Sequence, residues 1–400
     1  MRGLFLLLFL VIGLNAFSQA PKLSDKAQIS ILTCASGDEL YYSFGHTAFR
    51  VQDPILNIDV VYNYGTFDFN QPNFYWNFTK GRLLYTLTRR SFETFLFEYE
   101  LEMRWVKEQL LNLSAEEVNK VFNYLEWNYQ PENRDYLYDP LFDNCSTVIT
   151  TILTENFGEA IEYNNPNKEV EGFGFNLSND PTFRQLVNSH LPTNSWGAWG
   201  INLAFGAIVD KEASLSERMF LPYQALAQIR VTEKNGKSLL DRERFVLDYP
   251  EKKSSGSFMT SPLFWFTIVL VFVIAITFLD YKHQNRNTYL DFVLFFISGV
   301  AGIVILLLWF ATDHVYTKLN FNFLWLFPLN LVAAFAVVKP TFISKKMRTY
   351  LWVVLGLLVL TFLLWIFKFQ VFSPLNIPLI LIFATRYLFL LFQEKLQYTE

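Results

Sequence analysis

Two hydrophobic patterns divide the chain. As far as about residue 260, apolar and polar positions alternate in short runs broken by turn residues, as in elements with one buried face and one wet face. Beyond Ser261 the apolar runs lengthen to ~30 Å of helix at ~1.5 Å per residue, and lipid becomes the natural surrounding. In the first part, β-rich runs predict strands at 27–33, 47–51, 59–64 and 83–88, with breakers at Asp53-Pro54 and 69–73. Helical spacing predicts a helix over 92–111, and Ser114 with Glu117 forms a capping box opening another to about Asn128. A further helix starts at Asp143-Asn144-Cys145 and stops near Gly158. The polar stretches 130–139 and 163–174 read as loops, 181–191 as a short helix, and 214–231 as helix, turn and strand. This part is α+β.

The second part offers five candidate spans, at 262–279, 290–311, 321–338, 350–367 and 374–392; the third carries Pro328 and Asn330. Lys282, Arg286, Lys339, Lys345, Lys346 and Arg348 fall in alternate loops, while the opposite loops offer only Lys318 and Lys368. The positive-inside rule then places the large N-terminal part outside. Residues 1–20 agree with that orientation: Arg2, an apolar run from Leu4 to Leu14 and Ala16-Phe17-Ser18 make a secretory signal. Arg386, inside the fifth span, is expected to snorkel toward the cytoplasmic face. The organisation is thus a signal at 1–20, an exported domain at 21–257 with a linker at 252–257, and a membrane domain at 258–400.

Composition narrows the function classes. A mean hydropathy of +0.20 excludes an ordinary soluble domain. Net charge is −4 with no basic stripe, so nucleic acid is not an expected partner. Two cysteines are too few for a disulfide scaffold and form no zinc pattern; neither a metal nor a cofactor is expected.

Of four histidines, His283 falls in a cytoplasmic loop, His314 at the outer end of the second span and His190 at the end of a short helix. His46 opens a strand beside Gly45, which would let another group approach closely. Cys145 stands at a helix start, where unpaired N–H groups and the helix dipole favour thiolate and a nearby imidazole lowers the pKa further. A thiolate at a helix start facing a strand histidine is the arrangement of papain-like enzymes, with the cysteine N–H in the oxyanion hole. The competing reading is a plain Cys34–Cys145 disulfide with His46 in the core, and the residue pattern leaves both open.

If 47–51 and 59–64 pair as a hairpin about 54–56, residues 63 and 64 come opposite His46. Either Asn63 or Tyr64 then orients the imidazole, and a one-residue slip in register exchanges them. Asp143 either caps its helix or contacts substrate; Arg134 either pairs with it or meets a lipid phosphate. The aromatic residues Phe67, Phe69, Phe74, Tyr75, Trp76 and Phe78, with Trp196 and Trp199 farther on, are either core or a lipid-handling surface.

Several ordered motifs carry a resemblance: Thr33-Cys34-Ala35-Ser36-Gly37-Asp38-Glu39-Leu40, Phe44-Gly45-His46-Thr47-Ala48, Tyr62-Asn63-Tyr64-Gly65-Thr66-Phe67-Asp68, Phe142-Asp143-Asn144-Cys145-Ser146-Thr147 and Phe220-Leu221-Pro222. Together they resemble the Lnb family, lipoprotein N-acyltransferases of the Bacteroides type. The exported domain is more distantly similar to the circularly permuted papain-like fold of NlpC/P60 and lecithin:retinol acyltransferase enzymes. The resemblance implies a Cys145 nucleophile, a His46 general base and acid, and an all-α membrane domain of about five helices in the bacterial inner membrane, with the catalytic domain in the periplasm. It implies transfer of an acyl chain from a membrane phospholipid, through a Cys145 thioester, to the N-terminal amine of diacylglyceryl-cysteine lipoproteins. The alternatives are a membrane-anchored NlpC/P60-type cell-wall peptidase or amidase, and a non-catalytic envelope protein bearing a disulfide. Cys34 is open to three roles: structural thiol, disulfide partner, or participant in catalysis.

Overall fold

A computed structural model describes residues 21–171, 175, 177–251, 257–338 and 343–393. The signal at 1–20 and most of the linker, 252–256, lie outside the described residues. The alternating runs form strands β1 (Gln28–Cys34), β2 (His46–Asp53), β3 (Ile58–Thr66) and β4 (Leu84–Ser91). Strands β5 (Val106–Leu111) and β6 (Asp135–Leu137) follow. Short strands β7 (Ile161–Glu162), β8 (Glu233–Lys234) and β9 (Lys237–Ser238) make a small separate sheet, and β10 (Leu240–Leu247) closes the series. The main sheet has seven antiparallel strands in the order β10-β5-β1-β2-β3-β4-β6.

Helices α1 (Phe74–Lys80), α2 (Phe92–Leu101), α3 (Ala115–Asn128) and α4 (Thr147–Phe157) surround that sheet, and α5 (Asn167–Glu171), α6 (Phe183–Ser189), α7 (Trp196–Ala204) and α8 (Pro222–Val231) complete the exported part. Side chains alternate across the sheet as the two-residue period requires. Ile29, Ile31, Phe49, Val51, Tyr62 and Tyr64 point to one face, packed against Val121 and Leu125 of α3 and Ile149 and Ile152 of α4. Leu32, Cys34, Ala48 and Val61 point to the other, under Phe95 and Tyr99 of α2. Each fully buried aliphatic or Phe side chain here contributes about 1.5–3 kcal/mol relative to exposure.

Five elements depart from the sequence expectation, one of them the expected 130–139 loop, which contains β6 paired to β4. The helix expected over 92–111 ends at Leu101; Met103 takes a left-handed φ of 52°, and Val106–Leu111 pairs with β1 on one side and β10 on the other. Pairing on both edges overrides the helical spacing of those six residues. The strand expected at the end of 214–231 is instead α8, with Pro222 in its first turn, where the missing N–H costs nothing. The expected 163–174 loop contains α5, and the Cys145 helix begins at Thr147 rather than at Asp143.

The C-terminal part is helical: α9 (Pro262–His283), α10 (Thr288–Phe310), α11 (Asn330–Val337), α12 (Lys345–Ile366) and α13 (Asn376–Phe392). Three of these, α9, α10 and α12, are long and apolar enough to cross a membrane, and α13 is a shorter apolar helix. The third expected span is split into a 3-10 turn at Phe321–Leu324 and α11, with Pro328, which lacks an N–H donor, between them. Arg386 does not snorkel. It is fully buried, bonded to Asp291 and 2.7 Å from Asp280, while Arg286 lies 2.7 Å from the second oxygen of Asp291. Two carboxylates within reach on α9 and α10 neutralise the two guanidinium groups, so moving the Arg386 charge out to the interface would take away the cation beside Asp280 and leave Asp291 with Arg286 alone.

The two parts touch closely. Gly206 N–H donates to Tyr316 O at 3.0 Å, Ala207 N–H to Leu319 O at 2.9 Å, and Asn320 Nδ2 to Leu203 O at 2.8 Å. Any Cβ on Gly206 would lie 1.8 Å from Lys318 O, so this approach depends on glycine. Trp199 Nε1 donates to Asn376 Oδ1 at 2.9 Å, and Trp196 Nε1 to Thr260 O at 2.8 Å, tying α7 to the first and last membrane helices.

Candidate functional site

At the end of β2, His46 is half-buried and its Nε2 lies 2.5 Å from Asn63 Oδ1. The register decides which of the two candidate orienting residues meets it. Phe49 pairs with Tyr62 and Val51 with Val60, so Asn63 shares the face of His46 and Ala48, while Tyr64 shares the opposite face with Tyr62. The Tyr64 hydroxyl donates to Asn128 Oδ1 at 2.6 Å and has no part in holding the imidazole.

Cys145 is half-buried and sits two residues before α4, across the sheet end from His46. Burial alone would push its thiol up, but the His46 charge, a hydrogen bond to His46 and hydrogen bonds from Thr47 bring it down to about 7. In return, His46 is raised: burial opposes protonation, and Cys145 and the hydrogen bonds to Cys145 and Asn63 outweigh it. With Nε2 held by Asn63, Nδ1 is the nitrogen left to exchange a proton with the thiol. The backbone N–H of Cys145 makes no hydrogen bond within the described residues, which leaves it free as an oxyanion donor.

The turn carrying Cys145 is fixed from both sides. Asn144, not Asp143, acts as the cap: its Oδ1 accepts from Ser146 N–H at 2.7 Å and Thr147 N–H at 3.0 Å. Asn144 Nδ2 donates to Pro140 O at 2.7 Å and to Phe220 O at 3.0 Å, which gives the Phe220-Leu221-Pro222 motif a place in the site. Thr47 Oγ1, on the strand that carries His46, donates to Cys145 O at 2.7 Å. Gly65, at φ +90°, leaves the space between Cys145 Cβ and the Tyr138 ring; a Cβ there would be 3.9 Å from each.

Asp143 forms a backbone bridge with Asp139, and burial with that neighbouring acid pushes its carboxyl up to about 6. Arg134 forms no ion pair with Asp143 among the described residues, and its buried Nε has no hydrogen-bond partner there. Trp76 lies exposed on α1 under Lys80, and Trp196 stands at the junction with α9. Both cysteines are free. Cys34 belongs to the α2 face of the sheet, whereas Cys145 packs on the α4 face, so the expected alternative of a bridge between them is overturned.

Two family models match the chain, the Lnb N-terminal periplasmic domain over residues 18–187 and the Lnb transmembrane domain over 252–397. The chain belongs to the Lnb family. It is therefore a membrane protein with a mixed α/β periplasmic domain; α7, which packs against the membrane part, lies between the two matched stretches. No curated protein and no solved structure matches it.

Asp143 and Asn144 both stood at the helix start expected from sequence, and the structure gives the capping role to Asn144. Sequence reasoning missed Thr47 as a holder of the Cys145 turn, a role that required the fold. Also missed was the placement of the site against the Lnb membrane part. Tyr316, in the loop after α10, lies close enough to Tyr138 to add to the effect of burial in holding its hydroxyl up, and Tyr138 borders Cys145.

Proposed function

We propose that this chain is a lipoprotein N-acyltransferase of the inner membrane, with a papain-like thiol acyltransferase domain at 21–257 and a membrane domain at 258–400 that crosses the bilayer about five times. The observation that carries this reading is the grouping of a lowered thiol, an imidazole and an orienting amide at the sheet end bordered by a membrane-domain loop. Cys145 is the nucleophile, His46 the proton carrier and Asn63 the group that fixes the ring.

In the first half-reaction the Cys145 thiolate attacks the carbonyl carbon of a glycerophospholipid ester. The oxyanion takes a hydrogen bond from the Cys145 N–H, the ester C–O bond breaks, and His46 gives its proton to the departing alcohol of the lysolipid. The acyl chain remains as a thioester. In the second half-reaction the neutral α-amine of a diacylglyceryl-cysteine N-terminus, with an unperturbed pKa of about 7.7–8.0, attacks that carbonyl. His46 accepts the amine proton, the C–S bond breaks, and the amide leaves with three acyl chains on the lipoprotein. Donor and acceptor are both confined to the bilayer, and holding the site at its surface raises their effective concentration without new contacts.

Mass spectrometry of lipoprotein N-termini tests this in cells that lack their usual N-acyltransferase and express this chain or its Cys145→Ala form. The reading predicts a third acyl chain with the first and none with the second. A third chain with both rejects the mechanism, and with neither rejects the function.

A further inference from the structure

Between Cys145 and the outside of the molecule runs an uninterrupted line of ring contacts that the chemistry above does not use. Tyr138, across Gly65 from Cys145, stacks on Tyr85 with centroids 4.3 Å apart. Tyr85 meets Phe67 at 5.2 Å, Phe67 meets Phe69 at 4.9 Å and Phe74 at 6.0 Å, and Phe74 lies parallel to Phe78 at 6.4 Å. The line thus ends on α1.

Helix α1 is unusual in carrying no buried residue although its sequence is Phe-Tyr-Trp-Asn-Phe-Thr-Lys. Tyr75 is 80% exposed, Phe69 67%, Trp76 62% and Phe78 56%. In water this display of rings would be a liability. Its anchorage explains what covers it. Asp313 N–H donates to Lys80 O at 2.9 Å, Arg82 Nε to Asp313 Oδ2 at 2.5 Å, and His314 Nε2 lies 3.2 Å from Thr79 O. Gly81, at φ +71°, makes room for the His314 ring, since a Cβ would lie 2.9 Å from Nδ1. Two residues separate Asp313 and His314 from the end of α10, one of the three helices long and apolar enough to span among the described residues. The C-terminus of α1 is therefore pinned at the end of a helix long and apolar enough to span, and at such an end Trp and Tyr side chains are at home and a lysine can reach headgroup phosphates.

We propose that α1 lies in the outer interface of the bilayer and that the line from Phe78 through Phe67 and Tyr85 to Tyr138 is the binding track for the donor acyl chain, a fatty acyl group of a glycerophospholipid in the same leaflet. This rests on the acyl-transfer reading for what happens at Cys145, but not for the binding itself. Flat, rigid rings suit the purpose: they give apolar contact to a flexible chain without themselves losing much freedom. The track brings the ester end of the chain beside Gly65, which lies between Tyr138 and Cys145.

Its test needs no turnover. The full-length Cys145→Ala chain is reconstituted in vesicles of phosphatidylethanolamine and phosphatidylglycerol that carry a trace of phosphatidylethanolamine with a diazirine midway along one acyl chain. After illumination, peptide mapping is expected to place lipid adducts on α1 and on Phe67 and Tyr85 as well as on the spanning helices. Phe67→Glu, which puts a charge in the middle of the track, should cut the Tyr85 adduct roughly tenfold while leaving the adducts on the spanning helices unchanged. Adducts confined to the spanning helices, or a Tyr85 adduct unchanged by Phe67→Glu, overturn the track. The unsubstituted chain, tested alongside for an acyl adduct on Cys145, separates the two claims. Track adducts without acyl-Cys145 leave the track standing and reject the acyl-transfer reading; acyl-Cys145 without track adducts does the reverse.

Discussion

The two cysteines occupy opposite faces of one sheet and have been given opposite chemistry. Cys34, at the end of β1, is wholly buried under Phe95 and Tyr99, and burial pushes its thiol up to about 12 in spite of Tyr99 and Arg104 nearby. Cys145 suffers the same desolvation, yet an imidazole and the Thr47 donors carry it down to about 7. The Cα atoms of Cys34 and His46 are cross-strand partners, but the strand end lets the ring serve the other cysteine. Burial does not therefore decide thiol reactivity by itself; what decides it is whether a positive partner is held where the thiolate forms.

The largest expected effect comes from removing the activated thiol. Cys145→Ala should abolish acyl transfer, whereas Cys34→Ala should leave the rate within about threefold and cost roughly 1–2 kcal/mol of stability, read from a denaturant titration. Next is the charge that separates the two thiols. In His46→Gln, burial of Cys145 is no longer opposed by an imidazolium, so its pKa rises above 7. Alkylation by iodoacetamide at pH 7 should then fall by roughly 50-fold if the thiol returns to an ordinary value near 9, and its midpoint should move upward. An unchanged midpoint would break the comparison.

A smaller change is expected from Asn63→Ala. The Asn63 bond favours protonated His46, so its loss lowers the His46 pKa and weakens the imidazolium's hold on the thiolate. The alkylation midpoint should rise less than in His46→Gln, with acyl transfer down roughly tenfold. Smallest is Tyr64→Phe. Because its hydroxyl bonds Asn128 on the far face, acyl transfer should stay within about twofold, and stability should drop by about 1 kcal/mol. A loss as large as that of Asn63→Ala would show that Tyr64 also acts on His46.

Where the chain has one wet and one buried face, its sequence pattern was informative. Strands β1 to β4 follow from alternation, and the α3 cap from Ser114 and Glu117. Val106–Leu111 was hidden because its state is imposed by β1 and β10, neither of which is near it in sequence. Helix α8 was hidden for a different reason: residues Pro222 to Ile229 are all buried, so no polar stripe marks a period. In the site, residue chemistry singled out Cys145 and His46 as a candidate pair but left a Cys34–Cys145 disulfide equally open. Choosing between Asn63 and Tyr64 required the register, which no single strand contains. Likewise Arg386 could be recognised as an intramembrane charge, but its partners Asp280 and Asp291 lie about a hundred residues away and meet it only in the folded bundle.

Peptide mass spectrometry of the purified full-length protein, after incubation with phosphatidylethanolamine and phosphatidylglycerol vesicles, tests the contrast between the two thiols most directly. A fatty acyl mass released by neutral hydroxylamine is predicted on the peptide containing Cys145, forming faster as pH rises through about 7, with the Cys34 peptide unmodified. An acyl mass on Cys34, or a Cys145 left free while lysolipid accumulates, would contradict the account.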